Sequence, residues 1–89
     1  MKTVEEYLLF LESKGFYFGE DAIGFIYFGK NYTDASEQLT ITAIELTLKI
    51  QKQFDGSFFI SLLEMLQEKN IKSRKQALLF VRNELKWKI

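Results

Sequence analysis

The stretch DASEQLTITAIELTLKIQKQF, residues 34–54, decides the fold because it has two possible periods. Apolar and polar residues alternate from Ile44 to Gln51, which is typical of a half-buried strand. Read as a helix, the stretch carries apolar stripes on two opposite faces, and such a helix packs between two partners. The stripes are Leu39, Ala43, Leu46 and Ile50 on one face and Ile41, Ile44 and Leu48 on the other.

The residues at both ends of this stretch favour the helix. Asp34, with Glu37 three positions later, has the spacing of a capping box, and Asp55-Gly56 is a turn signal. About twenty residues without glycine or proline are long for a strand and ordinary for a helix. The β-branched threonines and isoleucines favour a strand. We expect a central helix and keep the strand as the alternative.

Helix signals recur on both sides of the central stretch. They are the capping boxes Thr3–Glu6 and Ser73–Gln76 and the left-handed helix endings expected at Gly15 and Asn70. They predict helices over residues 3–14, 57–69 and 74–86. A further helix over about residues 20–28 competes with a β-hairpin in the same region, and we favour the helix.

The two ends of the chain share a design. Residues 7–26 align without gaps on residues 62–81, with matching apolar positions and matching helix endings. We therefore expect an all-α fold: a compact bundle of about five helices, in which two similar αα-hairpins flank a long central helix. At 89 residues the chain is expected to form a single domain, residues 1–89.

The composition excludes several kinds of chemistry. The chain has no cysteine and no histidine, so it lacks disulfides, thiol catalysis and the commonest metal ligand. Its sequence also contains no phosphate-binding glycine loop, no nucleophile elbow and no calcium-loop spacing. We expect a protein that is not an enzyme, with no catalytic residues, no metal and no cofactor.

The charges are balanced overall and unevenly distributed. Residues 1–44 hold three lysines against seven carboxylates, and residues 45–89 hold nine basic side chains against five carboxylates. A net charge of zero argues against strong non-specific binding of nucleic acid. The two halves attract each other, form separate solvated faces, or form a dipolar surface that orients a partner.

The start of the chain does not resemble a signal peptide, because Glu5 and Glu6 stand where positive charge is expected and the apolar run over residues 7–11 is short. No run approaches the roughly 18 apolar residues of a membrane span. We expect a cytoplasmic protein that does not enter a membrane.

Residues 16–32, FYFGEDAIGFIYFGKNY, hold half of the aromatic side chains. A short chain needs most of its aromatic residues for the core. This stretch also predicts a surface for a partner or an apolar ligand. The candidate residues are Tyr17, Phe18, Phe25 and Phe28.

Residues 46–86, LTLKIQKQFDGSFFISLLEMLQEKNIKSRKQALLFVRNELK, resemble the ribbon-helix-helix family of DNA-binding proteins. The resemblance implies a strand over residues 46–54 that pairs with its twin in a dimer, and two helices behind it. The residues that would face bases are Thr47, Lys49, Gln51 and Gln53. Lys52 departs from the pattern, since an apolar residue is expected there, and residues 1–45 have no role in it.

Basic residues surround the start of the last predicted helix, where they oppose the helix dipole. They are Lys72, Arg74 and Lys75, which together with the cap residue Ser73 form one group. A phosphate or carboxylate bound there would turn this cost into a gain, so these residues are a candidate anion or partner contact.

These observations favour a small non-enzymatic protein that binds another protein, as a monomer or a homodimer. We expect a small regulator or adaptor, and the frequent use of lysine, isoleucine, asparagine and phenylalanine indicates a bacterial or phage source. The alternatives are a dimeric ribbon-helix-helix DNA-binding regulator and a binder of small apolar ligands through residues 16–32.

Overall fold

The computed structural model describes residues 2–89, and within them it contains five α-helices and no strand. The helices are α1 (Val4–Ser13), α2 (Glu20–Thr33), α3 (Glu37–Gln51), α4 (Gly56–Glu68) and α5 (Arg74–Asn83). The predicted all-α class and the bundle of five helices are confirmed. The strand implied by the ribbon-helix-helix resemblance is wrong, because residues 46–51 belong to α3.

The central helix α3 packs against each of the other four helices. Its two apolar stripes both contribute to the core, with Leu46 on one and Ile44 on the other fully buried. Three threonines between the stripes are buried as well, and each hydroxyl donates to the carbonyl four residues earlier: Thr40 to Ser36, Thr42 to Gln38 and Thr47 to Ala43. These local bonds satisfy the buried hydroxyls without a partner on another element.

The start of α3 differs from the sequence prediction. Asp34 does not cap α3; it ends α2 in the left-handed conformation at φ 58°, which aspartate tolerates better than most residues. Ser36 is the cap, and its Oγ accepts from the Leu39 amide at 3.0 Å. The predicted box is wrong because α2 runs to Thr33 and leaves only residues 34–36 for the connection.

The two predicted hairpins do end their first helices in the same way. After α1, Gly15 adopts φ 94° and the Phe16 amide donates to the Leu11 carbonyl at 2.9 Å. After α4, Asn70 adopts φ 57° and the Ile71 amide donates to the Leu66 carbonyl at 3.0 Å. Both endings are Schellman motifs. The two helices of a predicted hairpin do not pack mainly on each other. Apart from the contacts of α3, the main contact joins α2 of the first hairpin to α4 of the second.

Gly29 allows this contact between α2 and α4. A Cβ there would lie 2.9 Å from Cε2 of Phe59 and 3.3 Å from Cγ1 of Ile60. Phe59 is fully buried and also packs on Phe54, so the ring has little room to move. Because α4 occupies this side of α2, the other side of α2 faces solvent.

Candidate functional site: the exposed aromatic face of α2

Helix α2 carries more aromatic side chains than it buries. Ile26 and Gly29 are its buried residues. Its large exposed apolar side chains are Ile23, Phe25, Tyr27, Phe28 and Tyr32. We call these five residues, together with Gly24, the α2 face. Of the large apolar side chains exposed within residues 2–89, all but Leu79 belong to α1, α2 or the loop between them.

One flank of the α2 face is preorganised. Phe28 and Tyr32, one turn apart, stack with ring centroids 5.5 Å apart and an interplanar angle of 12°, although they are 57% and 65% exposed. The Phe25 ring lies over Gly56 at the start of α4, where a Cβ would come within 2.7 Å of the ring. These contacts hold aromatic surface in place while leaving it open to solvent.

Gly24 separates two open hollows on this face. Glu20, Asp21, Gly24, Phe25 and Phe28 line the first, of about 340 Å³. Glu5, Leu8, Leu9, Glu12, Ile23 and Tyr27 line the second, of about 260 Å³, between α1 and α2. A Cβ built on Gly24 meets no heavy atom within 4 Å, so this position is a gap in the protein surface.

Carboxylates surround the α2 face. Glu20 and Asp21 lie at its start, Glu64 and Glu68 lie beside Tyr32, and Glu5 and Glu12 lie beside Ile23 and Tyr27. Helix α4 has no lysine or arginine, and the single lysine of α2 is Lys30, whose Nζ lies 3.0 Å from Glu37 Oε2. The pKa of Tyr27 is raised, first by burial and then by the negative charges of Glu5 and Glu37.

The structure separates the four aromatic residues that the sequence singled out. Phe25 and Phe28 line the first hollow. Phe18 is half-buried, with its ring edge-on to Phe54 at 5.6 Å, and Tyr17 beside it is 77% exposed. Those two residues line a different hollow, near the end of α3.

Sequence reasoning missed Tyr32 and the opposite flank, Ile23 and Tyr27. The signal for Tyr32 was present, because it follows Phe28 by four residues, the spacing of neighbours on a helix surface. The prediction ended α2 near residue 28 and so placed Tyr32 outside the helix.

The basic group at the start of α5 has an internal role. Arg74 makes a bidentate pair with Glu45, from Nε to Oε1 at 2.9 Å and from Nη2 to Oε2 at 2.7 Å, and so ties α5 to α3. This pair lowers the pKa of Glu45, against the opposing effect of burial. Nearby, burial raises the pKa of Tyr7 to about 12, with a further contribution from Glu45.

The other predicted members of that group are partly engaged in capping. Ser73 Oγ accepts from the Gln76 amide at 3.1 Å, and the Gln76 side chain accepts from the Lys72 amide at 2.7 Å. The predicted box therefore forms with Lys72, one residue earlier than expected. Lys72 and Lys75 are exposed, and their anion contact stays a prediction.

Within residues 2–89, no group of three or more acidic side chains is arranged to hold a metal ion, and no helix is long and apolar enough to cross a membrane.

The comparisons with known proteins give one match. No curated protein and no solved structure matches the chain. A family model described as a family of unknown function, DUF6123, matches residues 1–85. Because this match covers nearly the whole chain, the protein belongs to the DUF6123 family.

Proposed function

We propose that this protein is a non-enzymatic regulator or adaptor that binds another protein through the α2 face. The observation that carries the proposal is the stacked pair Phe28 and Tyr32, held in place with more than half of each side chain exposed. Removing apolar surface from water is favourable by roughly 25 cal/mol for each Å², so exposed apolar surface favours binding of a partner that covers it. Contiguous apolar surface rimmed by polar residues marks interaction sites, and aromatic side chains dominate their energetics.

The geometry favours a macromolecule over a small ligand. Small-molecule sites typically enclose about 70–90% of the ligand surface. The hollows beside Gly24 are open to solvent and lie on neighbouring sides of α2, the second of them shared with α1, which suits an extended partner surface. DNA is not favoured, because the ribbon that would read bases is helical and the α2 face is ringed by carboxylates that would repel phosphates.

The test compares capture from a native cell extract by immobilised wild-type protein and by the double variant Phe28→Ala, Tyr32→Ala. Leu79→Ala is the matched control, because Leu79 is also exposed, at 45%, but lies on α5. Quantitative mass spectrometry should find a protein that wild type and Leu79→Ala retain and the double variant loses. Equal capture by all three proteins, or no specific capture by wild type, would refute the proposal.

A further inference from the structure

From the charges around the α2 face, we infer that its partner presents a basic amphipathic helix, which crosses α2 at Gly24. This inference rests on the proposed function and adds the chemistry of the partner. It joins three independent features of the same surface: its apolar residues, its ring of carboxylates and its exposed glycine.

The carboxylates define the charge of the partner. None of Glu5, Glu12, Glu20, Asp21, Glu64 and Glu68 forms an ion pair with another residue of the described chain. Lys30, the single lysine of α2, is already paired with Glu37. A partner with lysine or arginine beside its apolar stripe would complement this ring, and complementary charge speeds encounter and selects the partner.

The same charges argue against a second copy of the chain as the occupant. In a symmetric dimer, each α2 face would contact its own equivalent, so acidic rim would meet acidic rim. The rim is acidic at both ends of the face, with Glu20 and Asp21 at one end and Glu64 and Glu68 at the other. Neither a parallel nor an antiparallel pairing of two α2 helices removes this repulsion.

Gly24 indicates where the partner crosses. Glycine is the poorest helix former after proline, and Gly24 has neither a positive φ nor a close neighbour to explain it. Without a Cβ, the backbone at this point can be approached more closely than elsewhere on the helix. The apolar side chains on its two sides then offer hollows for residues of the partner helix at spacings of three or four.

The face has the length that a helix contact needs. Nine steps separate Ile23 from Tyr32, or about 14 Å at 1.5 Å per residue. A partner helix of about three to four turns would cover this run and place its basic residues near both ends of the rim.

The experiment uses two synthetic 18-residue model helices with the same leucine stripe, one with lysine and one with glutamate on the polar face. Fluorescence anisotropy at low salt measures their binding to the full chain. The lysine helix should bind saturably at 1:1 and the glutamate helix at least about tenfold more weakly, with the difference shrinking as salt is raised. Equal binding of the two helices would overturn the inference.

Variants then locate the site. Phe28→Ala should weaken binding of the lysine helix about tenfold or more. Asp21→Lys should weaken it about threefold or more, while Glu84→Lys, an equal charge reversal of an exposed acid beyond α5, should not. Gly24→Gln should weaken it without lowering the thermal unfolding midpoint. If Asp21→Lys and Glu84→Lys weaken binding of the lysine helix equally, binding depends on net charge alone and the inference fails.

The two proposals fail in different ways. If Phe28→Ala, Tyr32→Ala abolishes capture of a native partner but the lysine helix shows no preference, the inference about the partner falls and the proposed function stands. A dimer of the wild-type chain in sedimentation equilibrium that Phe28→Ala dissociates would show a second copy to be the occupant, and would also overturn the inference.

Discussion

Replacing Gly24 by alanine should stabilise the isolated protein. Alanine is about 1 kcal/mol more favourable than glycine inside a helix, because glycine loses more backbone freedom on folding. The added methyl group meets no heavy atom within 4 Å, so no steric cost offsets this gain. We expect the free energy of unfolding to rise by about 0.5–1 kcal/mol, which raises the melting temperature of a domain of this size by roughly 4 °C.

The matched control is Gly29→Ala, the same change five residues further along the same helix. Here the new Cβ lies 2.9 Å from Cε2 of the buried Phe59 and 3.6 Å from Cδ2 of Leu63. Overpacking of this kind costs about 1–3 kcal/mol, which exceeds the gain in helix propensity. The two substitutions should therefore change stability with opposite signs.

Thermal and urea unfolding, followed by far-UV circular dichroism, measure both variants. A melting temperature of Gly24→Ala below that of wild type would mean that Gly24 serves the fold itself. The reasoning that assigns this glycine to a partner would then be refuted. A gain in stability for Gly29→Ala equal to that of Gly24→Ala would refute the tight packing of α2 on α4.

Three further changes test the fold and the site. Phe28→Ala should alter the free energy of unfolding by less than about 0.5 kcal/mol in urea titrations, because its side chain is 57% exposed. Phe59→Ala should cost about 3–5 kcal/mol in the same assay, because its fully buried ring joins α2 to α4. Arg74→Met should cost about 0.5–1 kcal/mol at pH 7, a small value because half of the Arg74 side chain is exposed. In the folded state the pKa of Glu45 lies below its ordinary 4.5. The stability that the Arg74–Glu45 pair contributes is therefore present above pH 4.5 and is lost as the pH falls through the folded pKa. The unfolding curves of Arg74→Met and wild type should accordingly converge in acid.

The central helix could be predicted from the sequence, but its polar positions could not be fully interpreted. The alternation from Ile44 to Gln51 is typical of a half-buried strand, the alternative to the predicted helix, and in such a strand the polar residues would face solvent. In the helix, Thr47 occupies one of those positions and is fully buried, with its hydroxyl bonded to Ala43. The hydroxyl of a threonine can form its hydrogen bond within its own helix in this way, so the polarity of the residue does not place it at the surface.

The connection between α2 and α3 shows a second limit of sequence reasoning. Asp34 and Ser36 are both good cap residues, and which one caps α3 depends on where α2 ends. That end depends in turn on Gly29, which lets α2 continue along α4. Packing between distant residues therefore set a boundary that local signals left ambiguous.

The candidate site depended even more on tertiary structure. Gly24 and Gly29 both stand among aromatic residues, and the sequence does not show which of them packs against another helix. One lies against a buried ring and the other opens to solvent, and only the position of α4 distinguishes them. The same applies to Phe28 and Phe59, since composition predicts many buried aromatics without stating which ones.

The charge asymmetry along the chain can now be traced to the molecular surface. The ion pairs within residues 2–89 are Lys30–Glu37, Lys49–Glu45 and Arg74–Glu45. Each joins residues of the same half, so none uses the acids of residues 1–44 to neutralise the bases of residues 45–89. Four acids of the first half, Glu5, Glu12, Glu20 and Asp21, instead border the α2 face, where no ion pair within residues 2–89 engages them. Association with a basic partner should accordingly be fast at low salt and slow markedly as salt is added, whereas a partner held by apolar contact alone would show little change in association rate.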